Sequence, residues 1–283
     1  MKDQAHELRA LGRSARPGSP PADGPPAVVI GSGKGGVGKS VLGVALAAAF
    51  ARAGRRTLLL DGAQNQGNLH ILLGVRPAAP LSSLLAGETC PEDLLVSVSG
   101  NLSLLPADSG DEVLYTLGAI DRARLHRRLS ALYDAFDVVV VDGGSGIDSV
   151  VRAAGIRASR LAVVATPEPA SLADAYALLK IVNLQIPSLP IEVMVNRVSA
   201  DEEGQAVFDR LHLAAERFLR RELGYLGCIP EDDSLRQGAR RPGALLEARN
   251  DAIDAIASRL ERREAHVREA EWTSVTEVRG QGT

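Results

Sequence analysis

The chain has 283 residues, of which 45% are hydrophobic and 24% charged, a composition that excludes a disordered chain and fits a globular α/β domain of ordinary size. Its formal net charge of −3 excludes a broad nucleic-acid-binding face, which needs clustered positive charge. Two cysteines without partners at metal-ligand spacing, Cys90 and Cys228, exclude a disulfide scaffold and an intrachain iron–sulfur site, and with aromatics at only 3% the core must be aliphatic.

In chain order, residues 1–16 form a short polar segment. Residues 17–26 hold five prolines and read as a linker, because that density of proline allows neither helix nor central strand. The folded domain is expected to begin near Ala27. Apolar runs at Ala27–Ile30, Thr57–Leu60, Leu102–Leu105, Asp137–Asp142, Leu161–Ala165, Ile191–Val195 and Gly224–Ile229 are predicted strands. Helix-forming stretches at Val41–Arg52, 121–133, 148–157, 170–183, 203–222 and 243–264 separate most of them. Continuous apolar strands alternating with helices predict a mostly parallel twisted sheet, covered by helices on both faces. Residues 27–264 would form this one domain, with 265–283 as a tail. No stretch of about 18 apolar residues and no apolar leader is present, so a cytoplasmic protein is expected.

The chemistry concentrates at strand ends, where such sheets bind ligands. Directly after the first strand comes Gly31-Ser32-Gly33-Lys34-Gly35-Gly36-Val37-Gly38-Lys39-Ser40. Gly33, Gly38, Lys39 and Ser40 stand at the spacing of a phosphate-binding P-loop. Small residues let successive backbone N–H groups turn onto phosphate oxygens. The helix that follows points its positive end at the same anion. Lys39 is placed for the outer phosphates, and Ser40 offers its hydroxyl to Mg²⁺. Asp142 ends the most β-branched strand and precedes Gly143-Gly144-Ser145-Gly146, the arrangement in which a carboxylate holds Mg²⁺ through water. Asp61 ends another strand.

The segment Lys34-Gly35-Gly36-Val37-Gly38-Lys39-Ser40 resembles the deviant Walker A motif of the MinD/ParA ATPases. The resemblance implies ATP and Mg²⁺ as ligands and an ATP-dependent homodimer in which Lys34 reaches the partner's nucleotide. It implies nucleotide contacts along Gly33, Lys34, Gly35, Gly36, Val37, Gly38, Lys39 and Ser40, and catalytic roles for Lys34, Lys39 and Asp61. Asp61 opens a segment similar to the family's switch I, matched at Asp61, Asn68, Leu69, Leu72, Leu73 and Gly74. Two acidic positions depart from it: Ala63 stands where the family has its water-activating aspartate, and His70 where it has another aspartate. A methyl group neither accepts a proton nor aligns water, a loss worth about 10²–10⁴ in rate. Slow ATP hydrolysis is therefore expected, with Gln64 or Asn65 as the remaining groups able to hold a water. Asn196-Arg197 and Gly227-Cys228-Ile229-Pro230 resemble the family's two base-side loops, which implies nucleotide contacts at Asn196, Arg197 and Pro230.

Thr166-Pro167-Glu168-Pro169, followed by Asp174-Ala175-Tyr176 and Lys180, resembles the FlhG/FleN group of flagellar placement and number regulators. Asp3-Gln4-Ala5-His6-Glu7-Leu8-Arg9 matches that group's D-Q-A-x-x-L-R motif. In the group this segment engages an FlhF-type GTPase and stimulates it, which implies partner-binding roles for Asp3, Gln4, Ala5, Leu8 and Arg9. Flagellar C-ring proteins or a flagellar transcription regulator are the further partners the resemblance implies. Members of the group also attach to membrane through a C-terminal amphipathic helix. Here Leu245, Leu246, Ile253, Ile256 and Leu260 form a narrow stripe that equally suits packing on the domain, and 265–283 carries only Val267, Trp272, Val275 and Val278 as apolar anchors. A peripheral position at the inner membrane face thus stays open beside the cytoplasmic one. The competing readings are a catalytically silent ATP-bound scaffold, which Ala63 favours, and a MinD/ParA-type ATPase for division or DNA segregation. The acidic balance and the N-terminal motif weigh against DNA, and the unpaired cysteines weigh against an iron–sulfur carrier of the same fold.

Overall fold

The computed structural model describes residues 25–62, 67–79, 82–106, 128–129, 132–144, 146–147, 149–150, 153 and 158–264. Its centre is an eight-stranded sheet built from β1 (Ala27–Gly31), β2 (Thr57–Asp61), β3 (Val96–Ser99), β4 (Leu102–Leu105), β5 (Val138–Asp142), β6 (Arg160–Ala165), β7 (Ile191–Val198) and β8 (Gly224–Pro230). The order across the sheet is β3-β4-β2-β5-β1-β6-β7-β8. All neighbours are parallel except β3 and β4, which form an antiparallel pair at one edge. The strands β1, β2, β5 and β6 are buried along their whole length, as expected of a sheet covered on both faces.

The alternation of β-strand side chains divides the core in two. Val29, Val139, Val141, Leu161 and Val163 face one layer, where they meet Leu178 and Val182 of α4 (Pro169–Gln185) and Val207 and Leu211 of α5 (Asp201–Leu219). Val28, Ile30, Val140, Ala162 and Val164 face the other. There they meet Leu42 and Leu46 of α1 (Lys39–Arg52), and Ile253, Ile256 and Leu260 of the last described helix, residues 251–264. Short helices α2 (Leu69–Leu73), α3 (Ser82–Ala86), α6 (Asp233–Gly238) and α7 (Ala244–Glu247) connect these layers, and residues 251–264 are α8.

Three differences from the sequence expectation have physical causes. The single helix expected over 243–264 is two helices. Gly243 starts α7 in a left-handed conformation (φ 79°), and Asn250 starts α8 by accepting a hydrogen bond from the Ile253 amide on its side-chain oxygen at 3.1 Å. The helix expected over 203–222 begins two residues earlier, because Asp201, Glu202 and Glu203 suit a positive helix end and Glu203 accepts from the Ser199 amide at 2.7 Å. It ends at Leu219, where Arg220 turns left-handed (φ 51°). The linker expected over 17–26 yields its last residue to the sheet, since the Pro26 carbonyl accepts from the Val139 amide at 2.9 Å. The stretches 121–133 and 148–157 lie largely outside the described residues.

Candidate functional site

The site lies at the carboxyl ends of β1, β5, β2 and β7. β1 stops at Gly31 and α1 starts at Lys39, so residues 32–38 form a loop between them. A Cβ at Gly33 would run into the backbone carbonyl of Asp174 on α4, so only glycine lets the loop lie this close to the helix. Gly38 is left-handed (φ 99°), and a Cβ there would come within 2.5 Å of Asn196 Nδ2. Gly35 and Gly36 have nothing within 4 Å of a built Cβ, so the loop is open on that side. Ser32 Oγ donates to the Lys34 carbonyl at 2.5 Å, and Lys39 Nζ donates to the same carbonyl at 3.3 Å.

Lys39 is only 6% exposed. Burial pulls its ammonium below the ordinary lysine range, while the Asp142 carboxylate pulls it back up. Among the described residues Lys39 makes no ion pair, and a buried cation at the mouth of a glycine loop and the N-terminus of α1 is suited to an anion. Ser40 follows Lys39 in the first turn of the same helix and is half-buried. Asp142 is 1% exposed and accepts from the Gly144 amide at 3.1 Å. Its backbone carbonyl accepts from the Gly62 amide at 2.9 Å, and Asp61 is its register partner on β2. Asp61 in turn accepts from the Leu69 amide at 3.1 Å, which ties the strand end to the start of α2.

The residues expected on the base side, Asn196, Arg197 and Pro230, come to the same end of the sheet. Asn196 donates from Nδ2 to the Val37 carbonyl at 2.8 Å, which latches β7 to the loop. Val37 itself is buried at 3% exposure, so only its backbone faces the loop's interior. Arg197 sits in a bulge between β7 and β8 with φ 61° and is exposed, and exposed Pro230 closes β8 opposite Val198. Gly33 to Ser40, Asp61, Asp142, Asn196, Arg197 and Pro230 thus converge on one end of the sheet. Ala63, Gln64, Asn65 and Ser145, and Asp3, Gln4, Ala5, Leu8 and Arg9, lie outside the described residues.

Two groups here escaped the sequence. Lys34 Nζ pairs with Glu168 Oε2 at 3.1 Å, whereas the sequence presents Glu168 as part of the Thr166-Pro167-Glu168-Pro169 resemblance to the FlhG/FleN group. The Asn196 latch joins positions 159 residues apart, a separation at which no sequence signal reports a contact.

With Lys39 buried within electrostatic reach of Asp142, and Gly35 and Gly36 open, the site has the features of a phosphate-binding ATPase fold. Residues 28–242 match the CobQ/CobB/MinD/ParA nucleotide binding domain, and the chain belongs to that family. The chain is 35% identical to the antiactivator FleN of Pseudomonas aeruginosa over 221 residues, covering 78% of this chain and 79% of FleN. It is 30% identical to the flagellum site-determining protein YlxH of Helicobacter pylori over 239 residues, 82% and 81% of the two chains. A MinC:MinD cell division protein complex from Aquifex aeolicus matches in structure with a TM-score of 0.65 and 27% identity, over 83% of this chain and 95% of that one. Within the family the chain falls in the FlhG/FleN group of MinD-like ATPases.

Proposed function

We propose that this chain is an ATP-driven dimerisation switch that regulates flagellar number or placement. The observation that carries the reading is Lys39: an ammonium held at 6% exposure inside an open glycine loop, at a helix N-terminus, with Asp142 alone among the described residues offsetting its charge. The outer phosphates of ATP supply the anion that position lacks. The backbone of Gly33 to Gly38 and Lys39 would hold them, with Arg197, Asn196 and Pro230 on the base side. Ser40 directly, and Asp142 through water, would hold Mg²⁺, which as a Lewis acid neutralises phosphate charge when bound. Lys34 would complete the site of a second copy. Hydrolysis would be slow because Ala63 offers no group to orient water.

The proposed domain plan is a nucleotide-binding body over 27–264, a tail over 265–283, and an activator segment over 1–16 joined by the proline-rich stretch. The activator segment, through Asp3, Gln4, Ala5, Leu8 and Arg9, would stimulate an FlhF-type GTPase independently of ATP. C-ring proteins or a flagellar transcription regulator are the further partners of this reading, and a cytoplasmic position goes with it. Among the described residues no helix is long and apolar enough to cross a membrane.

The test is binding and turnover by the whole chain. Wild type should bind ATP·Mg²⁺, and Lys39→Ala should weaken binding by about 100-fold, the equivalent of losing charge-assisted bonds worth ~1.5–3 kcal/mol. Ala63→Asp should raise turnover. A wild-type rate left unchanged by Ala63→Asp removes position 63 as the limit on hydrolysis. ATP binding and dimerisation with no turnover in wild type or in Ala63→Asp would favour the silent scaffold, the reading that Ala63 also supports.

A further inference from the structure

The short helix α2 is suspended from the nucleotide site and carries an unused surface. Its first amide, at Leu69, donates to Asp61 at 3.1 Å, and Asp61 is the register partner of Asp142. Two residues into α2, Ile71 stands 57% exposed, although it lies in a five-residue helix whose Leu69 and Leu73 are buried. The turn before α7 packs against this helix: the Leu72 carbonyl accepts from the Gly243 amide at 2.8 Å, and a Cβ at Gly74 would lie 3.0 Å from Pro242. Those contacts bring the turn that carries Arg240 and Arg241, just before Pro242, against the end of the helix, and Arg76 follows two residues after Gly74. All three arginines are exposed and make no ion pair with any described residue. Arg236, one turn earlier, is instead paired with Asp233 at 2.5 Å. A protein of net charge −3 therefore carries three exposed arginines, with no ion pair among the described residues, on the two segments that meet at the helix bearing the exposed Ile71.

We propose that this face docks an acidic segment of a partner protein, with an apolar side chain on Ile71 and carboxylates on Arg76, Arg240 and Arg241, and that the nucleotide at the P-loop sets how tightly it binds. The nucleotide dependence, but not the docking, rests on the switch reading above. Arginine around an apolar centre is the composition of a protein-binding patch. A nucleic acid would require a broader basic face than three arginines on an acidic chain. A membrane would require more than one apolar anchor. A second copy related by a two-fold axis through this face would set arginine against arginine. The coupling is local: any movement of Asp61 when phosphate and Mg²⁺ fill the site is passed through the Leu69 amide to the helix that bears Ile71.

The experiment uses the full chain and a short fluorescent peptide of aspartate and glutamate residues around a Leu-Phe pair, with a control in which lysine replaces every acid. Binding is read by anisotropy with ATP, with ADP and without nucleotide. Labelled ATP binding, light scattering and circular dichroism are measured on the same samples. The acidic peptide should bind and the lysine control should not. Ile71→Glu and the double change Arg240→Glu/Arg241→Glu should each weaken it by about tenfold or more, while Arg240→Lys/Arg241→Lys should retain most of the binding. Affinity should differ between the ATP and ADP samples. Equal binding of the control, or no effect of charge reversal in variants that fold as wild type, overturns the docking. So does charge-sensitive binding of duplex DNA or phosphatidylglycerol vesicles in preference to the peptide, or loss of self-association on charge reversal. If labelled ATP binds and peptide affinity is the same in every nucleotide state, the coupling is overturned. If labelled ATP does not bind, the switch reading fails and charge reversal alone decides the docking.

Discussion

Asn196 holds the nucleotide loop from outside it. Its side-chain amide donates to the Val37 carbonyl at 2.8 Å and is 8% exposed, so it both fixes the loop and satisfies a carbonyl that would otherwise be buried unpaired. Asn196→Ala should weaken ATP binding by about tenfold, the equivalent of one buried hydrogen bond of ~1–1.5 kcal/mol, while the fold persists. Asn196→Asp should be worse, because it turns an acceptor toward the Val37 carbonyl. Titration calorimetry with ATP·Mg²⁺ checks both; equal affinity in wild type and Asn196→Ala would make the latch incidental. At this scale the sequence placed the loop, Asp61, Asp142 and the Asn196-Arg197 pair at strand ends, because each is a short motif there. It could not show that Asn196 reaches Val37 or that Lys34 reaches Glu168, since both contacts exist only after the strands are ordered side by side.

Elements were legible where hydrophobic pattern alone decides them and less so where single polar atoms decide them. The seven strands other than β3 were readable as apolar runs. β3 was not: Val96-Ser97-Val98-Ser99 alternates half-buried and exposed positions and exists as an edge strand only because β4 is there to pair with it. The Asn250 cap that divides the last helix was likewise hidden in an unbroken helical pattern. α8 is held at the opposite end of the sheet from the site by a buried ion cluster. Arg160, 3% exposed, meets Glu192 at 2.8 Å and Glu264 at 2.6 Å, and Arg263 also pairs with Glu192. Arg160→Met should destabilise the fold by about 3–5 kcal/mol, because it strands two carboxylates among few remaining partners. Adding Glu192→Leu should recover part of the loss. Urea unfolding reads both, and a single variant as stable as wild type would show that the cluster contributes little. A second pair marks the entry to β5: Asp137 accepts from the Arg56 amide and guanidinium at 2.8 and 2.7 Å, and those bonds hold its carboxyl down to about 2. A carboxylate lowered in the folded state stabilises above its unfolded value of about 4 and loses that contribution as pH falls toward 2. Wild type should therefore exceed Asp137→Asn in stability at neutral pH, and the gap should close between about pH 4 and pH 2. A gap that stays constant across that window would deny the pair its part in acid unfolding.

At the scale of the whole molecule the proposed ATP-dependent dimer raises the question of what would keep one copy from engaging another before ATP arrives. Lys34, the residue proposed to cross between copies, is held within its own chain by Glu168 at 3.1 Å. The two side chains are 40% and 60% exposed, and an ion pair that open to water contributes no more than about 1 kcal/mol. A polyphosphate offers more charge and a drier setting, so it should outcompete a lone carboxylate for the same ammonium. The consequence is an asymmetric pair of variants. Lys34→Ala removes the group that crosses and should abolish the ATP-dependent dimer while leaving ATP binding by each copy intact. Glu168→Gln removes only the competitor, so the dimer should form at several-fold lower protein concentration with ATP and still be absent without it. A structural role for the pair predicts a different pattern, in which both variants lose stability and neither changes assembly in a nucleotide-dependent way. Light scattering with ATP, with ADP and without nucleotide, beside a thermal melt of each variant, separates the two. A mass that never changes with nucleotide in the wild type would remove Lys34 from any role between copies and leave the Glu168 pair as a surface contact alone.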